Sequence, residues 1–183
     1  MNQKKKVILG LLAFMLFIAV AVFVYNKEAK KITPKQETPS SENTVEKAPD
    51  FVMQDSQGNK LQLSEKFGKP IIMNFWASWC PPCKSEMPLF QKMYDEIGSD
   101  VTFLMVNMVD GKRETVDTGA QYILEQGYTF PVYFDIHQEA SLAYNLRAFP
   151  TTLFLDSEGR LITGHTGAID ENTLRKSIQM IQK

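Results

Sequence analysis

The chain contains two cysteines, Cys80 and Cys83, and they are separated by Pro81 and Pro82. Two thiols at this spacing can close into a disulfide and open again, so disulfide exchange with other proteins is the first hypothesis. A structural zinc site would need four ligands, and beyond the cysteines the sequence offers only two isolated histidines. An inert structural disulfide is disfavoured as well, because closing so short a loop adds little entropic stabilisation.

The elements that would position these thiols are a strand and a helix. Residues 71–76 are apolar, with β-branched and aromatic side chains, which is typical of a buried strand. From Pro81 to about Ile97, apolar residues recur at spacings of three and four and predict a helix, which Pro88 should kink or interrupt. The N–H groups at a helix start favour a thiolate, so we predict that Cys80 is the nucleophile and Cys83 the resolving thiol.

The two prolines between the thiols affect the chemistry of the first one. Proline has no backbone N–H, so Pro81 and Pro82 remove donors that would otherwise stabilise the Cys80 thiolate. Fewer donors predict a Cys80 thiol pKa that is less depressed, together with a more stable disulfide. We therefore expect this active-site loop to favour the reduction of partner disulfides over their formation.

The remaining pattern predicts an α/β sandwich, in which helices cover both faces of a central mixed sheet. Short apolar runs between turn-forming residues predict strands and hairpins near residues 51–53, 60–63, 101–109, 131–135, 152–155 and 161–164. Further helices are predicted at residues 115–126 and 139–146, and from the N-cap Asp170 to about Ile181. In the first of these, one face should hold Val116, Ala120, Ile123 and Leu124.

A membrane anchor is predicted at the N-terminus. Three lysines at positions 4–6 precede residues 7–25, a run of nineteen uncharged and largely apolar residues. As a helix this run would be about 28 Å long, close to the roughly 30 Å hydrocarbon core of a bilayer. Residues 19–21 resemble a small-residue cleavage site, but the apolar run continues beyond them, which favours an uncleaved anchor over a removed signal peptide. The lysines predict a cytoplasmic N-terminus and an extracytoplasmic body.

Three segments follow from composition: an anchor at residues 1–26, a flexible linker at 27–47 and a folded domain at 48–183. The linker is polar and punctuated by proline, and it cannot bury enough apolar surface to fold alone. The domain carries 17 acidic and 12 basic residues, so it has no electrostatic basis for binding nucleic acid. An extracytoplasmic domain lies where disulfides form and persist.

The segment from Asn74 to Lys84 resembles the active-site segment of thioredoxin-fold proteins. The continuation from Cys83 to Pro88, with the anchor and a helix–strand insert around residues 111–135, resembles the TlpA/ResA branch of membrane-tethered thiol-disulfide oxidoreductases. The resemblance spans roughly residues 48–183. It implies a thioredoxin-like fold with an N-terminal hairpin, and a redox-active Cys80–Cys83 disulfide with no other cofactor and no metal.

The resemblance also implies a surface for the substrate. The segment Phe149-Pro150-Thr151 matches the family's cis-proline segment, which faces the dithiol and pairs with the substrate backbone. A cis bond before proline is uncommon in folded proteins, so where one occurs it usually has a structural or functional role. Trp79, next to Cys80, is expected to line the same contact surface.

Two further positions concern proton transfer. Asn74 stands where cytosolic thioredoxins have a buried aspartate, so that proton acceptor is missing. Glu86 matches a glutamate that ResA-like proteins keep near the dithiol, and with a pKa raised by burial it could accept the Cys83 proton. The alternative for Glu86 is a solvated glutamate on an exposed helix face.

The function implied by the resemblance is reduction of disulfides in other exported proteins. Expected substrates are the haem-binding cysteines of apocytochrome c during cytochrome c maturation, or oxidised surface proteins, with a membrane thiol carrier as electron donor. One alternative is delivery of copper or another soft metal by the dithiol, although the sequence shows no third ligand nearby. Another is a peroxidase of related fold, which would place its reactive cysteine in a Thr/Pro-rich loop without this partner spacing.

Overall fold

The computed structural model describes residues 14–23 and 46–183. Helix α1 covers residues 14–23, and its side chains are exposed. The predicted anchor at residues 7–25 lies partly outside the described residues, and the predicted linker at 27–47 lies almost wholly outside them. Among the helices that are described, none is both long and apolar enough to cross a bilayer.

Residues 46–183 form a seven-stranded mixed sheet with helices on both faces, as predicted. The strands are β1 (Val52–Gln54), β2 (Lys60–Gln62), β3 (Ile71–Trp76), β4 (Thr102–Asn107), β5 (Val132–Phe134), β6 (Thr151–Leu155) and β7 (Leu161–Thr166). Their spatial order is β2-β1-β5-β4-β3-β6-β7, in which β3, β4 and β5 are parallel and the other pairs antiparallel. The helices are α2 (Pro81–Ile97), α3 (Val116–Gln126), α4 (Glu139–Ala143) and α5 (Glu171–Ile181), with a 3₁₀ turn at Leu63–Lys66.

Strand β3 lies inside the sheet and is buried on both faces, which explains its continuous apolar sequence. Its side chains alternate between two cores. Ile72 and Trp76 pack with residues of α2 and α5, whereas Met73 and Phe75 pack with the N-terminal hairpin and α4. The chain leaves β3 at Trp76 and enters α2 at Pro81, and the two cysteines lie at this start of the helix.

Helix α2 has the predicted bounds and runs through Pro88 without a break, so of the predicted kink or interruption the interruption does not occur. Pro88 is on the exposed side of the helix, while Met87, Phe90 and Met93 are buried against the sheet. The carbonyl that loses its N–H partner can therefore be hydrated, and burial of the opposite face holds the helix together.

Helix α3 differs from its predicted orientation at one residue. Its closest approach to the sheet is at Gly119, the one fully buried residue of the helix, while Val116, Ala120 and Ile123 are half-buried. Leu124 follows Ile123 by about 100° around the helix and is 81% exposed. The prediction that it shares the apolar face was wrong, because the contact is centred on a glycine that hydrophobic spacing does not count.

Candidate active site

Cys80 and Cys83 are joined by a disulfide at the N-terminus of α2, with their Cα atoms 5.3 Å apart. Cys80 is the N-cap, and its Sγ accepts the backbone N–H of Cys83 at 3.3 Å. Pro81 and Pro82 occupy the first two helical positions, so Cys83 is the first residue of the helix that has an N–H to offer. Cys83 is completely buried and Cys80 nearly so, which makes Cys80 the more exposed residue of the pair.

An aromatic surface adjoins Cys80. The peptide bond between Phe149 and Pro150 is cis, and Thr151 Oγ1 donates to the Ala148 carbonyl at 2.9 Å. The ring of Phe149 meets the ring of Trp79 edge to face, with centroids 6.4 Å apart. Trp79 is 38% exposed, so the pair offers an apolar face to a partner. The structure thus brings the cis-proline segment and the residue before Cys80 together.

Glu86 is buried rather than solvated, with 3% of its surface exposed. One carboxylate oxygen accepts the side-chain N–H of Asn74 at 2.8 Å, and the other accepts the backbone N–H of Ile169 at 2.9 Å. Burial raises the pKa of Glu86 from its ordinary 4.5 to about 7, against these two hydrogen bonds, which favour the charged form. A carboxyl group with this pKa can take up or release a proton near neutral pH.

Asn74 connects Glu86 to the centre of the sheet. Its Nδ2 also donates to Thr152 Oγ1 at 2.9 Å, across the antiparallel register that pairs Asn74 with Thr152. Its Oδ1 is buried and has no hydrogen-bond partner among the described residues. Because Asn74 is neutral, Glu86 does not share this pocket with a second carboxylate, as it would if an aspartate stood there.

A second buried carboxylate, Glu114, was not predicted from the sequence. It is completely buried, and it accepts the Ser78 backbone N–H at 2.9 Å, the Ser78 hydroxyl at 2.7 Å and the Asn107 side-chain N–H. Glu114 therefore fixes the segment that leads into Cys80. No sequence signal could have found it, because it ends a charged stretch, residues 110–114, that is typical of a solvated loop.

Gly119 makes this arrangement possible. A Cβ atom at this position would lie 2.8 Å from Asn107 Nδ2, so any larger residue would displace the side chain that binds Glu114. The predicted site residues and the unexpected Glu114 network thus meet around one dithiol.

Within residues 14–23 and 46–183, no three His, Cys, Asp or Glu side chains are grouped so that they could hold a metal ion.

Several known proteins are similar to this chain in sequence and fold. The sequence model of the AhpC/TSA family matches residues 44–163. The thiol-disulfide oxidoreductase ResA of Halalkalibacterium halodurans is 32% identical over 138 residues, which make up 75% of this chain and 76% of that protein. The thioredoxin-like protein YneN of Bacillus subtilis is 28% identical over 96% of this chain and 98% of its own. The crystal structure of StoA from Bacillus subtilis matches with a TM-score of 0.62 and 28% identity, over 72% of this chain and 97% of that one.

Proposed function

The chain belongs to the AhpC/TSA family and is a thiol-disulfide oxidoreductase of the ResA type with a thioredoxin-like fold, and from this premise we propose that it reduces disulfides in exported proteins. The observation that carries the proposal is the disulfide between Cys80 and Cys83 at the start of α2, next to the exposed aromatic face of Trp79 and Phe149. A dithiol in this place can donate two electrons to a partner that docks on that face.

The reaction begins from the reduced dithiol. The Cys80 thiolate attacks one sulfur of the substrate disulfide, forms a mixed disulfide and releases the other substrate sulfur as a thiolate. Cys83 then loses its proton and attacks the Cys80 sulfur, which restores the Cys80–Cys83 disulfide and releases the second substrate thiol. Two electrons pass from the protein to the substrate. A dithiol carrier in the membrane is proposed to return two electrons and two protons.

Glu86 is proposed to accept the Cys83 proton during the second step. A group with a pKa of about 7 is ionised often enough to act as a base and is protonated often enough to return the proton. The Asn74 amide suits both forms, since its Nδ2 donates to the carboxylate and, after rotation, its Oδ1 could accept from the carboxylic acid. The segment from Phe149 to Thr151 is proposed to pair with the substrate backbone and to hold the target cysteine at Cys80.

The proposed location is the outer side of the cytoplasmic membrane. Supporting it are the lysines at positions 4–6 and the apolar run at residues 7–25, which would anchor the chain with its N-terminus in the cytoplasm. Residues 27–47 would tether the domain at 48–183 within reach of partners at the membrane surface. Proposed substrates there are apocytochrome c cysteines or oxidised surface proteins.

Trapping of mixed disulfides tests this function. In cells that produce the full chain, Cys83→Ser should accumulate adducts through Cys80, because the resolving thiol is missing. Cys80→Ser is the matched control, since it retains one thiol but the completely buried one. Adducts with exported proteins that thiol reductants release, formed by Cys83→Ser and absent from Cys80→Ser, would support the proposal. Adducts confined to cytoplasmic proteins, or formed equally by both variants, would contradict it.

A further inference from the structure

The loop at residues 110–114 is held by hydrogen bonds among its own residues and is bound to the segment that precedes Cys80. Asp110 Oδ1 accepts the backbone N–H groups of Lys112, Arg113 and Glu114 at 2.8, 2.7 and 2.9 Å. The N–H groups of Asp110 and Gly111 in turn donate to the Glu114 carbonyl at 3.1 and 3.0 Å. Gly111 has a φ of 70°, a left-handed conformation that glycine adopts without strain. This closed set of hydrogen bonds fixes the direction in which the loop presents its side chains.

The same loop is attached to the segment that precedes Cys80. The Glu114 carboxylate binds both the backbone and the hydroxyl of Ser78, two residues before the nucleophile. Asn107, at the end of β4, donates its side-chain N–H to the same carboxylate oxygen that accepts the Ser78 backbone N–H. The loop and the Cys80 segment are therefore joined by hydrogen bonds, which hold the loop backbone in place relative to the reacting sulfur.

Arg113 is the cationic side chain that this loop presents at the site. Its guanidinium carbon lies 3.9 Å from the centroid of the Trp79 ring, which is a cation–π contact. Its Nε faces Asp110 Oδ2 at 3.6 Å, and 67% of the side chain remains exposed. A guanidinium held over an aromatic ring has already lost part of its side-chain freedom, so it can bind a carboxylate with less loss of side-chain entropy than a free arginine.

A cleft of about 210 Å³ lies at this position, and its lining includes Trp79, Asp110, Arg113, Gln138 and Phe149. A polypeptide whose cysteine reaches Cys80 must pass over Trp79 and Phe149, so a side chain next to that cysteine comes close to the cleft. The acidic group in the lining, Asp110, already accepts three backbone N–H groups, which lower its pKa. Its charge is thus partly balanced without Arg113.

We propose that Arg113 is a specificity-determining residue, which binds an aspartate or glutamate side chain adjacent to the target cysteine of the substrate. This inference rests on the proposed function and names its substrate class: disulfides flanked by acidic residues. The domain at residues 48–183 has 17 acidic and 12 basic residues. Its net charge repels acidic partners at long range, so a preference for them has to come from a local contact.

Three peptide disulfides that differ only in the residue next to the reacting cysteine, aspartate, asparagine or lysine, provide the test. With the reduced full-length protein, kcat/KM should be about threefold higher for the aspartate peptide than for the asparagine peptide, as for a partly exposed ion pair. Arg113→Gln should bring this ratio to about one, because the charge is lost. Arg113→Glu should invert the order and favour the lysine peptide.

Lys112→Gln is the matched control, since it removes the same charge from the neighbouring position of the same loop. It should keep the preference for aspartate. Loss of the preference in Lys112→Gln as well would overturn the inference, because loop charge in general would then be responsible. An equal slowing of all three peptides by Arg113→Gln, with the ratio unchanged, would overturn it too, since Arg113 would then merely support Trp79. If the wild type reduces the three peptides with equal kcat/KM, this inference alone is refuted. If it reduces none of them, the proposed function is refuted as well.

Discussion

Replacing Glu86 with glutamine should remove most of the pH dependence of folding stability that this residue creates. Burial raises the pKa of Glu86 from 4.5 to about 7, so the folded protein binds this proton more tightly than the unfolded chain does. The resulting stabilisation is fully present below about pH 4.5 and is lost as the pH rises through about 7. At about 1.4 kcal/mol for each pKa unit, the free energy of unfolding contributed by Glu86 should fall by about 3 kcal/mol across this window.

Glutamine is the appropriate replacement because it resembles the protonated carboxyl group. Its oxygen can accept the Ile169 N–H, and its amide can donate to Asn74 once that side chain has rotated. The variant should therefore be about as stable as the wild type at about pH 4 and more stable by about 3 kcal/mol at about pH 8. If Glu86 also takes the Cys83 proton, the pH profile of disulfide reduction should lose its inflection near neutrality.

The measurement is urea unfolding of the oxidised protein at intervals of pH, with m-values compared to confirm that both proteins unfold alike. Glu65→Gln serves as the control, since Glu65 is an exposed glutamate of the same domain. Glu65→Gln should not reproduce the gain in stability at high pH, because that gain requires a buried carboxyl group. If the difference in free energy of unfolding between the wild type and Glu86→Gln does not change with pH, Glu86 is not a buried group that titrates near neutral pH.

Two further predictions concern the network behind the Cys80 segment. Glu114→Ala should lower the free energy of unfolding by about 2–4 kcal/mol because the part-buried N–H of Ser78 and the buried amide of Asn107 both lose their acceptor, whereas Glu114→Gln keeps an acceptor and should lose less than half of that. Chemical denaturation measures both, and equal losses would show that the hydrogen bond to Ser78 is unimportant. Gly119→Ala should cost about 1–3 kcal/mol because its Cβ would lie 2.8 Å from Asn107 Nδ2. A thermal midpoint equal to or above that of the wild type would instead show that α3 moves away without loss.

Much of the fold could be predicted because its signals are local. Strand β3 and helix α2 have the bounds that the apolar pattern predicted, and Asp170 is the N-cap of α5, where it accepts the Thr173 N–H. The mixed sheet and the thiol-disulfide oxidoreductase family are confirmed as well. Hydrophobic periodicity and capping depend on residues within a few positions of each other, so a linear sequence displays them directly.

The sequence by itself determined the reacting pair. Cys80 and Cys83 are close in the chain, and the strand–helix junction around them can be recognised from their immediate neighbours. Their disulfide needs no distant residue to bring the two sulfurs together. The sequence therefore predicted a closing pair of thiols, and the structure contains the Cys80–Cys83 disulfide.

Only the tertiary structure decided what surrounds that dithiol. Glu86 receives its hydrogen bonds from residues 74 and 169, and its raised pKa depends on burial that helical spacing left open. Glu114 and Arg113 belong to a charged loop whose sequence predicts solvent exposure. Glu114 is completely buried, and Arg113, although exposed, lies over the Trp79 ring, a contact between residues far apart in the chain. Desolvation and hydrogen bonding depend on which distant segments the sheet places side by side, and no local pattern records that placement.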